Sequence, residues 1–145
     1  MKETEKIEIM HFSQEGYVED GKNVYETGKK MIELADKVAD EGYDAVFLMG
    51  VGGTWDELMQ LEYLMNKFGD RDLEVYLIHA AEWNVSGDKR MTEKSVVLTA
   101  SESGTTPEVL EAVKKMKGMG VRVYAMTKPE GPIGQAVGAE NCVKM

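Results

Sequence analysis

T-A-S-E-S-G-T-T-P-E-V-L, residues 99–110, places the hydroxyls of Ser101, Ser103, Thr105 and Thr106 around Gly104. The aliphatic run Ser95-Val-Val-Leu-Thr99 leads into it, and a short apolar run rich in β-branched residues reads as a buried strand. Pro107 and Glu108 lead out of it. Proline suits the first turn of a helix and an acid suits the positive end of its dipole. The stretch is therefore a strand, a tight polar loop and a helix in sequence, which is half of a parallel β–α–β unit.

Working outward, the same alternation repeats. Val24, Met31, Leu34, Ala35 and Val38 recur at helical spacing, which predicts a helix from Asn23 that ends at the Glu41-Gly42 cap. Asp44–Met49 reads as a strand buried on both faces, Gly50-Val-Gly-Gly53 as a tight turn, and Thr54 to about Lys67 as a helix. Glu74–Ile78 is the next strand, followed by a loop at Ala81-Glu82-Trp83. After the stretch at 95–117 come a strand at Arg122–Met126, a short helix at Pro132–Val137 and a last strand at Asn141–Lys144. This pattern predicts an α/β fold, a five-stranded parallel sheet sandwiched between helices, with ligands at the carboxyl ends of the strands. Residues 1–22 show little periodicity beyond Ile7, Ile9 and Phe12 and read as an N-terminal arm, leaving 23–145 as the folded domain.

Composition bounds the function. The 145 residues are 43% hydrophobic, enough for one ordered domain. A net charge of −9 without a basic cluster argues against nucleic acid. A single cysteine, Cys142, cannot form an internal disulfide, and the polar N-terminus has no signal-peptide core, so the cytoplasm is the expected compartment. No apolar run is long enough to span a bilayer, and no membrane role is expected. The eleven methionines stand mostly at apolar positions of the expected elements and read as core filling.

Two loops could carry chemistry: Gly50-Val-Gly-Gly-Thr-Trp-Asp-Glu57 and Ser101-Glu-Ser-Gly-Thr-Thr-Pro-Glu108. In each, glycine lets the backbone approach a ligand and the next helix offers unpaired N–H groups, a combination that holds a phosphate monoester. Ser101, Ser103 and Thr106 are the candidate ring of neutral donors. The structural alternative is capping, since Thr54 to Glu57 and Thr105 to Glu108 both match the T-x-x-E box. Capping leaves Ser101, Ser103 and Gly104 without a task. The dinucleotide fingerprint lacks its third glycine and the P-loop lysine is absent. His11, His79 and Cys142 have no metal spacing, so no metal is expected. His79 and Glu82 flank the mouth of the second strand as conceivable acid–base groups, against the simpler reading of a solvated or capping glutamate. Trp83 is expected at a rim or interface, and Tyr76 and Tyr124 in the core.

The pair Phe47-Leu-Met-Gly-Val-Gly-Gly-Thr54 and Ser101-Glu-Ser-Gly-Thr-Thr-Pro-Glu108, over about residues 23–145, resembles the sugar isomerase (SIS) domain of phosphosugar-binding proteins. The long form of the second motif looks most like the first SIS domain of the fructoselysine and glucoselysine 6-phosphate deglycase group, relatives of the isomerase half of glucosamine 6-phosphate synthase. The resemblance implies a flavodoxin-like three-layer sandwich. It implies phosphate-binding hydroxyls at Ser101, Ser103 and Thr106 with Glu102 facing the ligand. It also implies a first loop of Gly52, Gly53 and Thr54 meeting the sugar or its phosphate, and a glutamate at Glu82. It implies no cofactor, a phosphorylated sugar or sugar-amine as ligand, and pairing into a homo-oligomer. Because that group carries two such domains in tandem, the chain is expected to be one of two in a longer parent. Deglycase or isomerase chemistry would pass through an enediol or enolamine. The alternative is a phosphosugar-sensing module without catalysis.

Overall fold

The computed structural model describes residues 13–144. Helix α1 spans Gln14–Glu41, β1 Val46–Gly50, α2 Gly53–Phe68, β2 Val75–His79, α3 Ala80–Ser86, β3 Val96–Ser101, α4 Pro107–Gly118, β4 Arg122–Thr127, α5 Pro132–Val137 and β5 Cys142–Val143. All strand pairs are parallel and the order across the sheet is β2-β1-β3-β4-β5. The expected α/β sandwich is the fold.

Alternation along β1 shows why its residues are apolar on both faces. Phe47 and Met49 join Val97 and Val123 in a core closed by Val109, Val113 and Met116 of α4 and Ile133 of α5. Val46 and Leu48 face the other way, against Leu58 of α2. Fully burying an aliphatic side chain contributes about 1.5–3 kcal/mol, so a two-faced strand must be apolar throughout. The lysines of α4 secure its neighbours: Lys115 Nζ donates to the Asn84 carbonyl at 3.0 Å, and Lys117 Nζ to the carbonyls of Ala136 and Val137 at 2.8 Å each. These are C-terminal carbonyls of α3 and α5, where a cation is favoured. Edge strand β2 is covered in part by Glu62 of α2, which accepts from the Leu77 amide at 3.3 Å.

Three expectations are corrected. First, α1 begins at Gln14 rather than Asn23, capped by the Ser13 hydroxyl, which accepts from the Gly16 amide at 2.9 Å. Its first half leaves Tyr17, Val18, Val24 and Tyr25 exposed, so no core-facing stripe marks it in the sequence. Residues 14–22 are thus helix and not arm, while Ile7, Ile9, His11 and Phe12 lie outside the described residues. Second, Ala81-Glu82-Trp83 is helical. The alanines favour it, and Gly87, at φ 62°, ends it by donating to the Trp83 carbonyl. Third, Trp83 is buried in the core rather than at a rim. Tyr124 is buried as expected, and Tyr76 packs half-buried on the same core with its ring 5.2 Å from Phe47.

At the amino end of the sheet, Asp44 accepts from the hydroxyls of Ser95 (2.9 Å) and Thr92. Burial pushes this carboxyl up, but the two hydroxyls together with backbone donors outweigh it and hold it below its usual value. A carboxyl depressed in the fold stabilises above the unfolded pKa, about 4, and that contribution is lost as pH falls through the folded value. Asp44→Asn is expected to lower the urea midpoint at pH 7 and to flatten the acid limb below about pH 4; superimposable acid limbs for variant and wild type would contradict this.

Candidate functional site

Consecutive neighbours β1 and β3 send their chains to opposite faces of the sheet, β1 into α2 and β3 into α4. Their carboxyl ends therefore form the topological switch point, where a crevice opens between diverging connections. Both loops singled out in the sequence emerge there.

The β3–α4 loop is held from beneath. Thr127, fully buried at the end of β4, donates its hydroxyl to the Ser101 carbonyl at 2.7 Å. The same carbonyl accepts from the Gly104 amide at 3.2 Å, closing the turn, and the Gly104 carbonyl accepts from the Ile133 amide at 3.0 Å. Gly104 sits at φ 69°, and a Cβ there would lie 3.2 Å from Thr127 Oγ1. Conformation and space both call for glycine.

On this frame Ser101, itself buried, brings its hydroxyl 3.0 Å from that of Thr106. Ser103 is exposed and turned toward Thr105, accepting from its amide at 3.2 Å and lying 3.1 Å from its hydroxyl. The structure thus joins Ser101 to Thr106 and sets Ser103 beside them on its own short turn. Glu102 is exposed. The capping alternative fails in detail. Thr106 is the N-cap residue of α4, yet its side chain makes no cap bond, and Thr105 is engaged by Ser103. With Pro107 lacking an N–H, the amides of Glu108 and Val109 receive no acceptor from Thr106 and remain donors at the positive end of the helix.

The β1–α2 loop is built similarly. A Cβ on Gly50 would lie 2.7 Å from the Trp55 amide nitrogen, so the helix can start this close to the strand only with glycine. Gly52, at φ 58°, is the N-cap of α2, without a side-chain cap bond. Thr54 does not cap as a box would; its hydroxyl donates to the Val51 carbonyl at 3.0 Å and accepts from the Val51 amide at 3.3 Å. Gly52 and Gly53 are exposed and Thr54 is half-buried.

His79 ends β2, half-buried, and Glu82 lies exposed in the first turn of α3. Both line a polar hollow of about 200 Å³ with Trp55, Ser86, Asp88 and Arg90, and the hydroxyls of Ser101, Ser103 and Thr106 are not among its walls. Trp55 is part of the wall of this hollow, its ring centroid 6.3 Å from that of His79 and edge-on. A larger hollow of about 250 Å³ between α1, α2 and the sheet is lined by Met31, Leu34, Leu58, Leu98, Tyr124 and Met126, among others, and has no charged wall. Burial pushes the Cys142 thiol above its usual value, away from nucleophilic use. Two positioning residues were not anticipated. Thr127 directly follows the expected fourth strand, a place that could have flagged it. Asn84 donates its side-chain amide to the Glu108 carbonyl at 2.8 Å, tying α3 to the first turn of α4; it stood in a segment read as loop and carried no signal.

No family model matches the chain. Fructosamine deglycase FrlB of Bacillus subtilis is 32% identical over 93 residues, 63% of this chain and 28% of that protein. The isomerizing glutamine–fructose-6-phosphate aminotransferase of Pyrococcus horikoshii is 24% identical over 138 residues, 94% of this chain and 23% of that protein. The chain therefore spans about a quarter of the length of these curated relatives. A crystal structure described as a phosphosugar isomerase from Bacillus subtilis matches with a TM-score of 0.66 and 29% identity over 71% of this chain and 31% of that one. The NanR protein of Vibrio vulnificus, solved in complex with ManNAc-6P, shares the fold, with a TM-score of 0.64 and 16% identity over 80% of this chain and 42% of that one.

Gly104→Ala is expected to destabilise by about 1–2 kcal/mol because of its left-handed backbone alone. Gly53→Ala, at an open helical position, should stay within about 0.5 kcal/mol of wild type. Urea denaturation of both variants checks this, and equal midpoints would contradict the account of the loop.

Proposed function

We propose, for a chain that is an SIS domain related to fructosamine deglycase FrlB, that the crevice between the β1–α2 and β3–α4 loops binds the phosphate of a phosphorylated sugar. The observation that carries this reading is the Ser101–Thr106 hydroxyl pair, 3.0 Å apart, at the start of a helix whose own N-cap side chain gives its first amides no acceptor. A phosphate has several acceptor oxygens and no need of a donor. It replaces the mutual bond of two hydroxyls by separate bonds from each, and it takes the amides of Glu108 and Val109 as well. Ser103, exposed on the adjoining turn, adds a third hydroxyl by leaving Thr105. The glycine amides at Gly52 and Gly53, with Thr54, face the sugar or its phosphate from the neighbouring loop.

The binding of the phosphate serves as a handle that positions the sugar carbons for chemistry. We assign this chain to the phosphosugar-binding part of an isomerase- or deglycase-type protein, in which a base takes a proton from C1 or C2 to give an enediol or enolamine. Among its own residues, His79 and Glu82 are the candidates for moving that proton. The hollow they share adjoins the glycine loop through Trp55. Fructosamine phosphates and hexose 6-phosphates are the substrate classes that the relatives point toward, with the cytoplasm as compartment and a homo-oligomer as the working form.

Calorimetric titration with fructose 6-phosphate, glucose 6-phosphate, fructoselysine 6-phosphate and unphosphorylated fructose tests the reading. Binding should require the phosphate and weaken about tenfold or more in Ser101→Ala and Ser103→Ala. Equal binding of fructose and its phosphate, or variants that lose stability but not affinity, would leave the loop a structural turn.

A further inference from the structure

The connections at the carboxyl end of the sheet, with the first turns of their helices, carry Asp56, Glu82, Glu102, Glu108 and Glu130. Next to the hydroxyl loop they carry Lys128, directly after Thr127 in the β4–α5 connection. In a chain of net charge −9, neutral hydroxyls and backbone amides alone must bind a dianion against this local field.

The position of Lys128 is built into the hydroxyl loop. Its Cβ lies 3.6 Å from where a Cβ of Gly104 would stand. Its carbonyl accepts from the Gly131 amide at 2.9 Å, and the Gly104 carbonyl accepts from Ile133 in the same turn. A Cβ on Gly131 would lie 3.2 Å from both the Gly104 and the Lys128 carbonyl oxygens, and Gly134 leaves no room for one against Lys128 and Pro129. Three glycines therefore let the β4–α5 turn press onto the β3–α4 loop. The backbone of Lys128 is fixed there while its side chain is exposed. Lys115, Lys117, Arg90 and Arg122 are each occupied by carbonyls or carboxylates. The Lys128 ammonium has no hydrogen-bond or ion-pair partner among the described residues. From its Cβ the four-carbon stem reaches about 5 Å, enough to bring Nζ over Gly104 to an anion seated on Ser101 and Thr106.

We propose that Lys128 is the charge-recognition residue of the hydroxyl loop: its ammonium folds over Gly104 to pair with the anionic end of the ligand, selecting a doubly charged phosphate monoester over a neutral sugar. The inference rests on the phosphosugar reading and names the side chain that supplies its charge selectivity.

The test titrates the 145-residue chain, Lys128→Met, Lys128→Arg and Ser101→Ala with fructose 6-phosphate and with inorganic phosphate, at low and at physiological salt. Lys128→Met should bind both at least about tenfold more weakly, with a shallower salt dependence and an unchanged melting temperature. Lys128→Arg should stay within a few-fold of wild type. If Ser101→Ala loses both ligands while Lys128→Met keeps wild-type affinity and salt dependence, the role of Lys128 is overturned and the phosphate role of the loop stands. If wild type binds neither, both are overturned.

Discussion

One buried hydrogen bond organises the site: the hydroxyl of Thr127, at the end of β4, donating to the carbonyl of Ser101, at the end of β3. That carbonyl also closes the Gly104 turn. A buried carbonyl left without its partners costs about 1–3 kcal/mol, so the strand ends cannot slide past one another without losing both bonds. The proposed site hangs from this point. The left-handed turn at Gly104 aims α4, the aim of α4 fixes where its free amides point, and the side chain next after Thr127 is Lys128. A second threonine makes the same kind of bond one strand over: Thr99 of β3 donates to the Met49 carbonyl of β1 at 2.8 Å, just below the glycine loop. The two loops of the site are thus each referenced to the sheet by a threonine hydroxyl.

An acidic chain proposed to bind an anion faces an electrostatic difficulty, and the proposed site answers it locally. In the proposed complex, donors that carry no net charge do most of the holding: the hydroxyls, the glycine amides and the start of α4. Such donors are oriented by the fold before any ligand arrives, so little reorganisation is needed on binding. The long-range field remains unfavourable. In the role proposed for Lys128, a single lysine at short range, where Coulomb attraction is least screened, offsets it and makes charge part of recognition.

Much of this was legible in the sequence because the responsible constraints are local. Buried parallel strands must be apolar along their whole length, and Val46–Gly50 and Val96–Ser101 announced themselves for that reason. The hydroxyl loop was visible because capping needs one hydroxyl and the loop has four. What escaped notice depended on tertiary placement. The early start of α1 was hidden because Tyr17, Val18 and Tyr25 face solvent and trace no buried stripe. The helix at Ala80–Ser86 is too short for periodicity to register, and with it Asn84 and the burial of Trp83 were missed. The T-x-x-E boxes looked like caps because the pattern is right, but the chain turns one or two residues away from where a box would place its N-cap.

The central claim is that an anion seats on the first amides of α4 between Ser101 and Thr106. The most direct measurement is an amide proton–nitrogen correlation map of the isotope-labelled chain during titration with fructose 6-phosphate. The account predicts the largest shifts at Ser103, Thr105, Thr106, Glu108 and Val109, with smaller ones at Gly52, Gly53 and Thr54. Shifts confined to the hollow around His79, Ser86 and Arg90, with the Gly104 loop unmoved, would contradict it.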